Sequence, residues 1–241
     1  MAPLLVGTGL TKRYGSLTVL DGVDFTVSDG EAVGIVGPNG AGKTTLLGVL
    51  SGSIPATGGR VELRGDDLTA ARPEVRCRRG IGRAHQVPRP FGGMTVLENV
   101  VVGASAGGGL DAAGSYDRAV DVLEVCGLVE LANRRAESLG LLHRKRLELA
   151  RSLATGPRVL LLDEIGGGLT DAEALQLVDT ILSLRERGVA VVWIEHIVHV
   201  LLKVVDRLIC MDAGVIIADG PPHDVLADAV VIDAYLGRAA S

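Results

Sequence analysis

The stretch Gly37-Pro-Asn-Gly-Ala-Gly-Lys-Thr-Thr45 limits this chain more than any other feature. It matches G-x-x-x-x-G-K-[ST] in full, a loop that cradles phosphate groups between a strand and a helix. Both neighbours are present: Ala32–Val36 is a short apolar run, and the pattern turns helical from Lys43 to Leu50. Glycines let backbone N–H groups converge on phosphate oxygens without side-chain clashes. The helix start adds positive partial charge. The candidate binding residues are therefore Gly37, Pro38, Asn39, Gly40, Ala41, Gly42, Lys43, Thr44 and Thr45. Lys43 supplies a full charge to the β- and γ-phosphates, and Thr44 offers a hydroxyl to Mg²⁺.

The rest of the chain agrees with an α/β fold. Val19–Val36 alternates in strand fashion around a turn at Asp29-Gly30. Short strands are expected near Gly59–Arg64 and Ile81–His85, and helices over Thr95–Ala106, Tyr116–Cys126 and Leu142–Thr155. The glycine- and alanine-rich stretch Gly103–Ser115 reads as a loop. VLLLDE and VAVVWIEH are apolar on both faces and flank a helix at Ala172–Arg187. Such strands belong in a parallel sheet covered on both sides. Residues 88–155 read as a mostly helical insertion between two halves of that sheet.

With two phenylalanines, three tyrosines and one tryptophan among 241 residues, the core must be built from Val, Leu, Ile and Ala. A net charge of −5 argues against a general nucleic-acid binder. Arg72, Arg76, Arg78, Arg79, Arg83 and Arg89 form a local basic cluster. It reads either as a solvated face or as a patch for an acidic partner or lipid headgroups. Cys77, Cys126 and Cys210 lack metal-ligand spacing and suit a reducing, cytosolic setting. The first residues lack the basic region of a signal peptide, and no apolar run approaches the ~20 residues of a membrane span.

Further motifs add chemistry. Asp163 and Glu164 end an apolar strand, where Asp163 would hold Mg²⁺ through its water shell and Glu164 would act as general base. His196 ends a second buried strand and is a candidate γ-phosphate contact, at the sheet edge where open α/β folds bind ligands. Its neighbour Glu195 either orients the ring or is solvated. Gln86 would bind Mg²⁺ or the attacking water, and Tyr14 would either stack on adenine or pack into the core.

In this order the residues resemble the ATPase subunits of ABC transporters over essentially the whole chain. Tyr14 is similar to the A-loop aromatic, GPNGAGKTT to Walker A, Gln86 to the Q-loop glutamine, VLLLDE to Walker B and His196 to the switch histidine. FGGMTVLENVVVGA, RKRLELARSLATGPRVLLLDE, WIEH and VIDAYLG are similar to ATPases of branched-chain amino acid importers, whose relatives serve amides and urea. The resemblance implies a P-loop NTPase fold with a mixed sheet core, an antiparallel β subdomain and an inserted helical subdomain. The core would comprise 1–87 and 156–241, the helical part 88–155. The implied ligands are ATP and Mg²⁺. The implied partners are two transmembrane permease subunits, an extracytoplasmic substrate-binding protein and a second ATPase subunit. The implied place is the cytoplasmic face of the membrane, as a peripheral subunit.

The signature loop, usually close to L-S-G-G-Q, aligns with Leu139-Gly-Leu-Leu-His143, so Gly140, Leu141 and Leu142 would face the partner's ATP. Gly140 replaces the serine and Leu142 the second glycine. Leu142 would crowd a phosphate if it pointed inward. The basic run from His143 to Arg146 would either replace the lost contacts or form a solvated face. Ile165 stands where proline is usual, and the D-loop reads Gly167-Gly-Leu-Thr170. This lopsided retention of motifs favours a heterodimer with a different ATPase over a homodimer. The competing readings are a soluble ABC-type ATPase with a regulatory or mechanical role, and a nucleotide-binding subunit without turnover.

Overall fold

The computed structural model describes residues 3–236. It opens with two long antiparallel strands, β1 (Pro3–Tyr14) and β2 (Leu17–Ser28). Strand β3 (Ala32–Val36) runs through the phosphate loop into helix α1 (Lys43–Ser51). Then come β4 (Gly58–Leu63), β5 (Asp66–Asp67), α2 (Pro73–Arg79) and β6 (Ile81–Ala84). Helices α3 (Val96–Val102), α4 (Ala112–Val125) and α5 (Leu141–Ala154) occupy the middle of the chain. The last third holds β7 (Val159–Asp163), α6 (Asp171–Glu186), β8 (Ala190–Ile194), the short α7 (Val198–Leu201), β9 (Arg207–Asp212) and β10 (Val215–Gly220). It closes with α8 (Pro222–Ala227) and α9 (Ala229–Leu236), so Gly237 of the VIDAYLG phrase lies outside the described residues.

The strands form two sheets. One is antiparallel, in the order β2-β1-β4-β5; the other is mixed, in the order β10-β9-β3-β8-β7-β6. Within the second sheet β9, β3, β8, β7 and β6 are parallel and only the edge strand β10 is antiparallel. Strands β3, β7 and β8 are buried at every position, as apolar runs covered on both faces must be. Their side chains divide by the two-residue period of a strand. Val33, Ile35, Val159, Leu161, Val192 and Ile194 pack with Leu46 and Leu50 of α1 and with Leu4, Leu5 and Phe25 of the antiparallel sheet. Val36, Leu160, Leu162, Val191 and Trp193 face the opposite way, toward Leu177 and Ile181 of α6 and the helices of the middle segment. The carboxyl ends of β3, β7 and β8 thereby meet on one edge, carrying Gly37, Asp163-Glu164 and Glu195-His196.

Two sequence expectations need correction. The stretch Gly103–Ser115 is not one loop: a π-helical turn continues α3 over Gly103–Gly107, and α4 begins at Ala112. The glycines serve close packing instead. A Cβ at Gly103 would lie 2.5 Å from the Arg151 carbonyl oxygen, and one at Gly107 would lie 2.5 Å from Thr155 Cγ2. Nor is the basic cluster a single surface. Arg76 is buried at 4 % exposure. Its guanidinium donates to the carbonyls of Val49 (2.7 Å), Leu50 (2.9 Å), Thr69 (3.0 Å) and Ala71 (3.1 Å). The first two lie at the C-terminal end of α1, where the Val49 carbonyl also accepts from the Gly52 N–H at 3.2 Å and Leu50 is among the last carbonyls that a helix leaves without an internal partner. Arg83 also turns inward, as described below.

Arg76→Met is therefore expected to strand buried carbonyls at the end of the helix that carries the phosphate loop. At about 1–3 kcal/mol for a buried group left unsatisfied, the loss should total roughly 3–5 kcal/mol. Urea denaturation followed through Trp193, which is fully buried and the only tryptophan, measures it. A shift below about 1 kcal/mol would show that water replaces the guanidinium.

Candidate functional site

The phosphate loop has the backbone its glycines allow. Gly37, Gly40 and Gly42 have φ of 141°, 83° and 101°, in the region that L side chains rarely enter. At Gly37 a Cβ would lie 2.0 Å from the Met211 carbonyl oxygen, so glycine is required there. Lys43 is 6 % exposed and its ammonium donates to the carbonyls of Gly37 (2.7 Å) and Pro38 (3.0 Å). Burial pushes its pKa down, while the charges of Glu164, Cys210 and Asp163 pull it back up. The Lys43 ammonium is thus held at the loop by carbonyl dipoles, without an ion pair in the loop itself.

Thr44 stands at the same helix start, and its hydroxyl donates to Asp163 Oδ1 at 3.1 Å. A hydroxyl that spends its one proton on Asp163 keeps its lone pairs for a cation, and Mg²⁺ prefers such oxygen donors. Thr44 and Asp163 therefore fit Mg²⁺.

Two residues far apart in sequence converge on Glu164. His196 Nε2 lies 2.6 Å from Glu164 Oε1, and Gln86 Nε2 donates to Glu164 Oε2 at 2.6 Å. Glu164 itself has φ of 46°, a left-handed backbone rare for a side chain of this kind. Backbone strain of this sort costs on the order of 1–3 kcal/mol and tends to collect at functional sites. Here the twist ends β7 and directs the carboxylate between His196 and Gln86. The cleft beside it is lined by Val19, Glu164 and residues 39–45 of the phosphate loop.

The remaining candidates lie elsewhere. Tyr14 is half exposed at the end of β1 and does not line that cleft; Lys12 Nζ sits 4.6 Å from its ring centroid. Gly140 is the N-cap of α5 and offers no side-chain cap to the helix. Leu141 is 45 % exposed and its Cδ2 lies 3.3 Å from where a Gly168 Cβ would stand, whereas Leu142 is only 9 % exposed. The side chain presented outward at this helix start is thus Leu141, and Leu142 turns into the protein. Neither lines the cleft at Lys43.

Three residues of the basic run after Leu142 have partners within the chain. Arg144 donates to the carbonyls of Leu139 and Glu137 at 2.8 and 2.7 Å, and Arg146 donates to Gln176 Oε1 at 3.2 Å. Lys145 is buried and donates to the Gln86 carbonyl at 3.2 Å. Desolvation lowers its pKa, opposed by the charges of Glu195 and Glu164. Glu195, 2 % exposed, does not orient the imidazole. It accepts from the Gly166 N–H at 2.9 Å and the His196 N–H at 3.0 Å, fixing the backbone of both neighbours of the site.

Sequence reasoning missed Arg83. Its guanidinium pairs with Asp163 Oδ2 at 2.8 Å, and the two side chains are 11 % and 6 % exposed. The available signal was an arginine inside a short, otherwise apolar strand three residues before Gln86.

Comparison with known proteins agrees with this geometry. A family model described as ABC transporter matches residues 20–166, and one described as Branched-chain amino acid ATP-binding cassette transporter matches 215–241. The high-affinity branched-chain amino acid transport ATP-binding protein BraF of Pseudomonas aeruginosa is 36 % identical, over 98 % of this chain and 99 % of that protein. The corresponding LivG of Escherichia coli is also 36 % identical, with the same coverage. The lipopolysaccharide export system ATP-binding protein LptB of Escherichia coli is 34 % identical, over 97 % of each. Among solved structures, the ADP conformation of an ATP-binding cassette of an ABC transporter superposes with a TM-score of 0.89 at 32 % identity, covering 98 % of this chain and 100 % of that one. A nucleotide-free cassette gives 0.88 at 31 % identity, covering 97 % and 99 %.

Proposed function

Because the chain belongs to the ABC transporter family and is an ATP-binding, ATP-hydrolysing subunit of that kind, we propose that it powers import of branched-chain amino acids or related small polar or amide substrates. The observation that carries the ATPase chemistry is the meeting of Gln86, Glu164 and His196 beside Lys43 and the Thr44–Asp163 pair. The importer reading is supported by full-length similarity to BraF and LivG and by the branched-chain family match at 215–241.

In this reading Gly37 through Thr45 hold the triphosphate, and Tyr14 stacks on adenine with Lys12 on the ring. Thr44 and Asp163 would hold Mg²⁺, joined by the Gln86 carboxamide, and the ion would supply charge neutralisation for the phosphates. Glu164 accepts the proton of the attacking water. His196 contacts the γ-phosphate and fixes Glu164, and Gln86 holds the other carboxylate oxygen. Residues 88–155 form the helical unit, inserted into a core of 1–87 and 156–241, since α3, α4 and α5 lie between the paired strands β6 and β7.

The chain would sit at the cytoplasmic membrane face against two permease subunits, fed by an extracytoplasmic binding protein. No helix among the described residues is long and apolar enough to cross a membrane. Co-purification with two permeases from detergent-solubilised membranes tests this; a chain recovered without any membrane protein would favour a soluble regulatory or mechanical ATPase.

The second ATPase subunit is expected to be a different chain. At the start of α5 this chain offers Gly140 and an outward Leu141 where a partner's ATP would need polar contacts. A lost hydroxyl contact to a charged phosphate is worth roughly 1.5–3 kcal/mol. Nothing lies within 4 Å of a Cβ at Gly140, so a serine fits there. Gly140→Ser should raise the ATPase rate of the chain alone by about tenfold, the lower end of that range. It should add only a few tenths of a kcal/mol to stability, as a serine cap in place of glycine does. An unchanged rate, or full activity of the unaltered homodimer, would remove the argument for unequal sites.

A further inference from the structure

The guanidinium of Arg83 occupies a built position. Nη2 donates to Asp163 Oδ2 at 2.8 Å, and Nη1 donates to Ser53 Oγ at 2.8 Å and Ser51 Oγ at 3.3 Å. Its own carbonyl accepts from Ser152 Oγ of α5 at 2.6 Å. Asp163 therefore has one oxygen on Thr44 and the other on a cation that two serine hydroxyls hold in place.

The charges explain why such a cation is useful. Asp163 is 4 % exposed and adjoins Glu164. A buried carboxylate requires either a proton or a counter-charge. Lys43 lies near, but its ammonium bonds to the Gly37 and Pro38 carbonyls. Among the described residues Arg83 makes the only ion pair with Asp163. A divalent ion arriving at the same carboxylate meets a fixed positive charge, and such repulsion is weakly screened away from solvent. A metal that arrives with a triphosphate brings its own negative charge and escapes most of that penalty.

We propose that Arg83 is a positioning residue that serves as the resident counter-ion of Asp163, so that the site refuses a bare divalent cation and admits it as the metal–nucleotide complex. The inference rests on reading Thr44 and Asp163 as the metal site. A merely structural salt bridge would affect stability when removed and leave metal affinity alone.

The test uses the full chain without nucleotide and Mn²⁺ as the probe, with free Mn²⁺ read by electron paramagnetic resonance. Arg83→Gln should bind Mn²⁺ at least about tenfold more tightly than the unaltered chain, as expected when a like charge beside a partly buried ion is removed. Arg83→Lys should stay near the unaltered chain. Ser53→Ala, which frees one side of the guanidinium while keeping its charge, should shift affinity in the same direction by a smaller factor. The gain should vanish in Arg83→Gln combined with Asp163→Asn. Equal or weaker Mn²⁺ binding by Arg83→Gln overturns the proposal, as does a gain that survives the Asp163 change or appears equally in Arg83→Lys. Should Arg83→Gln fail to fold by circular dichroism, Ser53→Ala decides, and no shift there counts against the idea. Calorimetry of Mg²⁺–ADP with the unaltered chain is read separately: no binding there would remove the metal-site reading itself, whatever the variants do.

Discussion

Glu164→Gln lowers steady-state ATP hydrolysis by about a thousandfold, within the 10²–10⁴ that a positioned general base typically contributes. The geometry makes this a clean substitution. A glutamine has the same shape, and its carbonyl oxygen still accepts from His196 Nε2, now 2.6 Å from Oε1. What changes is basicity, together with the contact to Gln86 Nε2, which donates to the other carboxylate oxygen and would face an amide NH₂ instead. The residues at the triphosphate are untouched, so ATP binding should survive. Phosphate release measures the first claim, and filter retention of labelled ATP measures the second. Hydrolysis within tenfold of the unaltered chain would take the role of base away from Glu164 and leave it as a scaffold for His196.

That convergence was only partly legible in the sequence. The phosphate loop could be read at once, because its chemistry fixes residue type and spacing within nine consecutive positions. Asp163, Glu164 and His196 could be read because they end strands apolar at every position, which must lie side by side in a buried parallel sheet. The side-chain contacts among Gln86, Glu164 and His196 could not, since they depend on the left-handed turn at Glu164.

Arginines were the hardest residues to place. Arg76, Arg83, Arg144 and Arg146 look alike in a sequence, yet each has a distinct internal partner that only the tertiary structure reveals. Glycines misled in the opposite direction. Gly103 and Gly107 suggested a loop, whereas the close approach of α5 is what excludes a side chain. Strand β1 is masked in the sequence because Gly7 and Gly9 interrupt its alternation, and its register with β2 shifts at that point. Strand β9 begins and ends on charged residues, Arg207 and Asp212, which hide a short buried centre.

Lys43→Ala should weaken Mg²⁺–ATP binding by at least about a hundredfold, since each charged contact to phosphate is worth roughly 1.5–3 kcal/mol and Lys43 is positioned to make more than one. The folded chain should tolerate the change. Burial lowers the pKa of Lys43 below its ordinary value. The unfolded chain therefore holds that proton more tightly, so the charged group disfavours folding at every pH below both values and ceases to do so only as pH rises through them. Alanine removes that penalty, at the cost of two hydrogen bonds to the carbonyls of Gly37 and Pro38. Calorimetry should then find nucleotide affinity lost while the unfolding free energy from urea denaturation stays within about 1 kcal/mol of the unaltered chain, the size of a typical net hydrogen-bond contribution. Loss of stability together with binding would mean that the ammonium organises the empty loop; unchanged affinity would mean that the triphosphate is held without it.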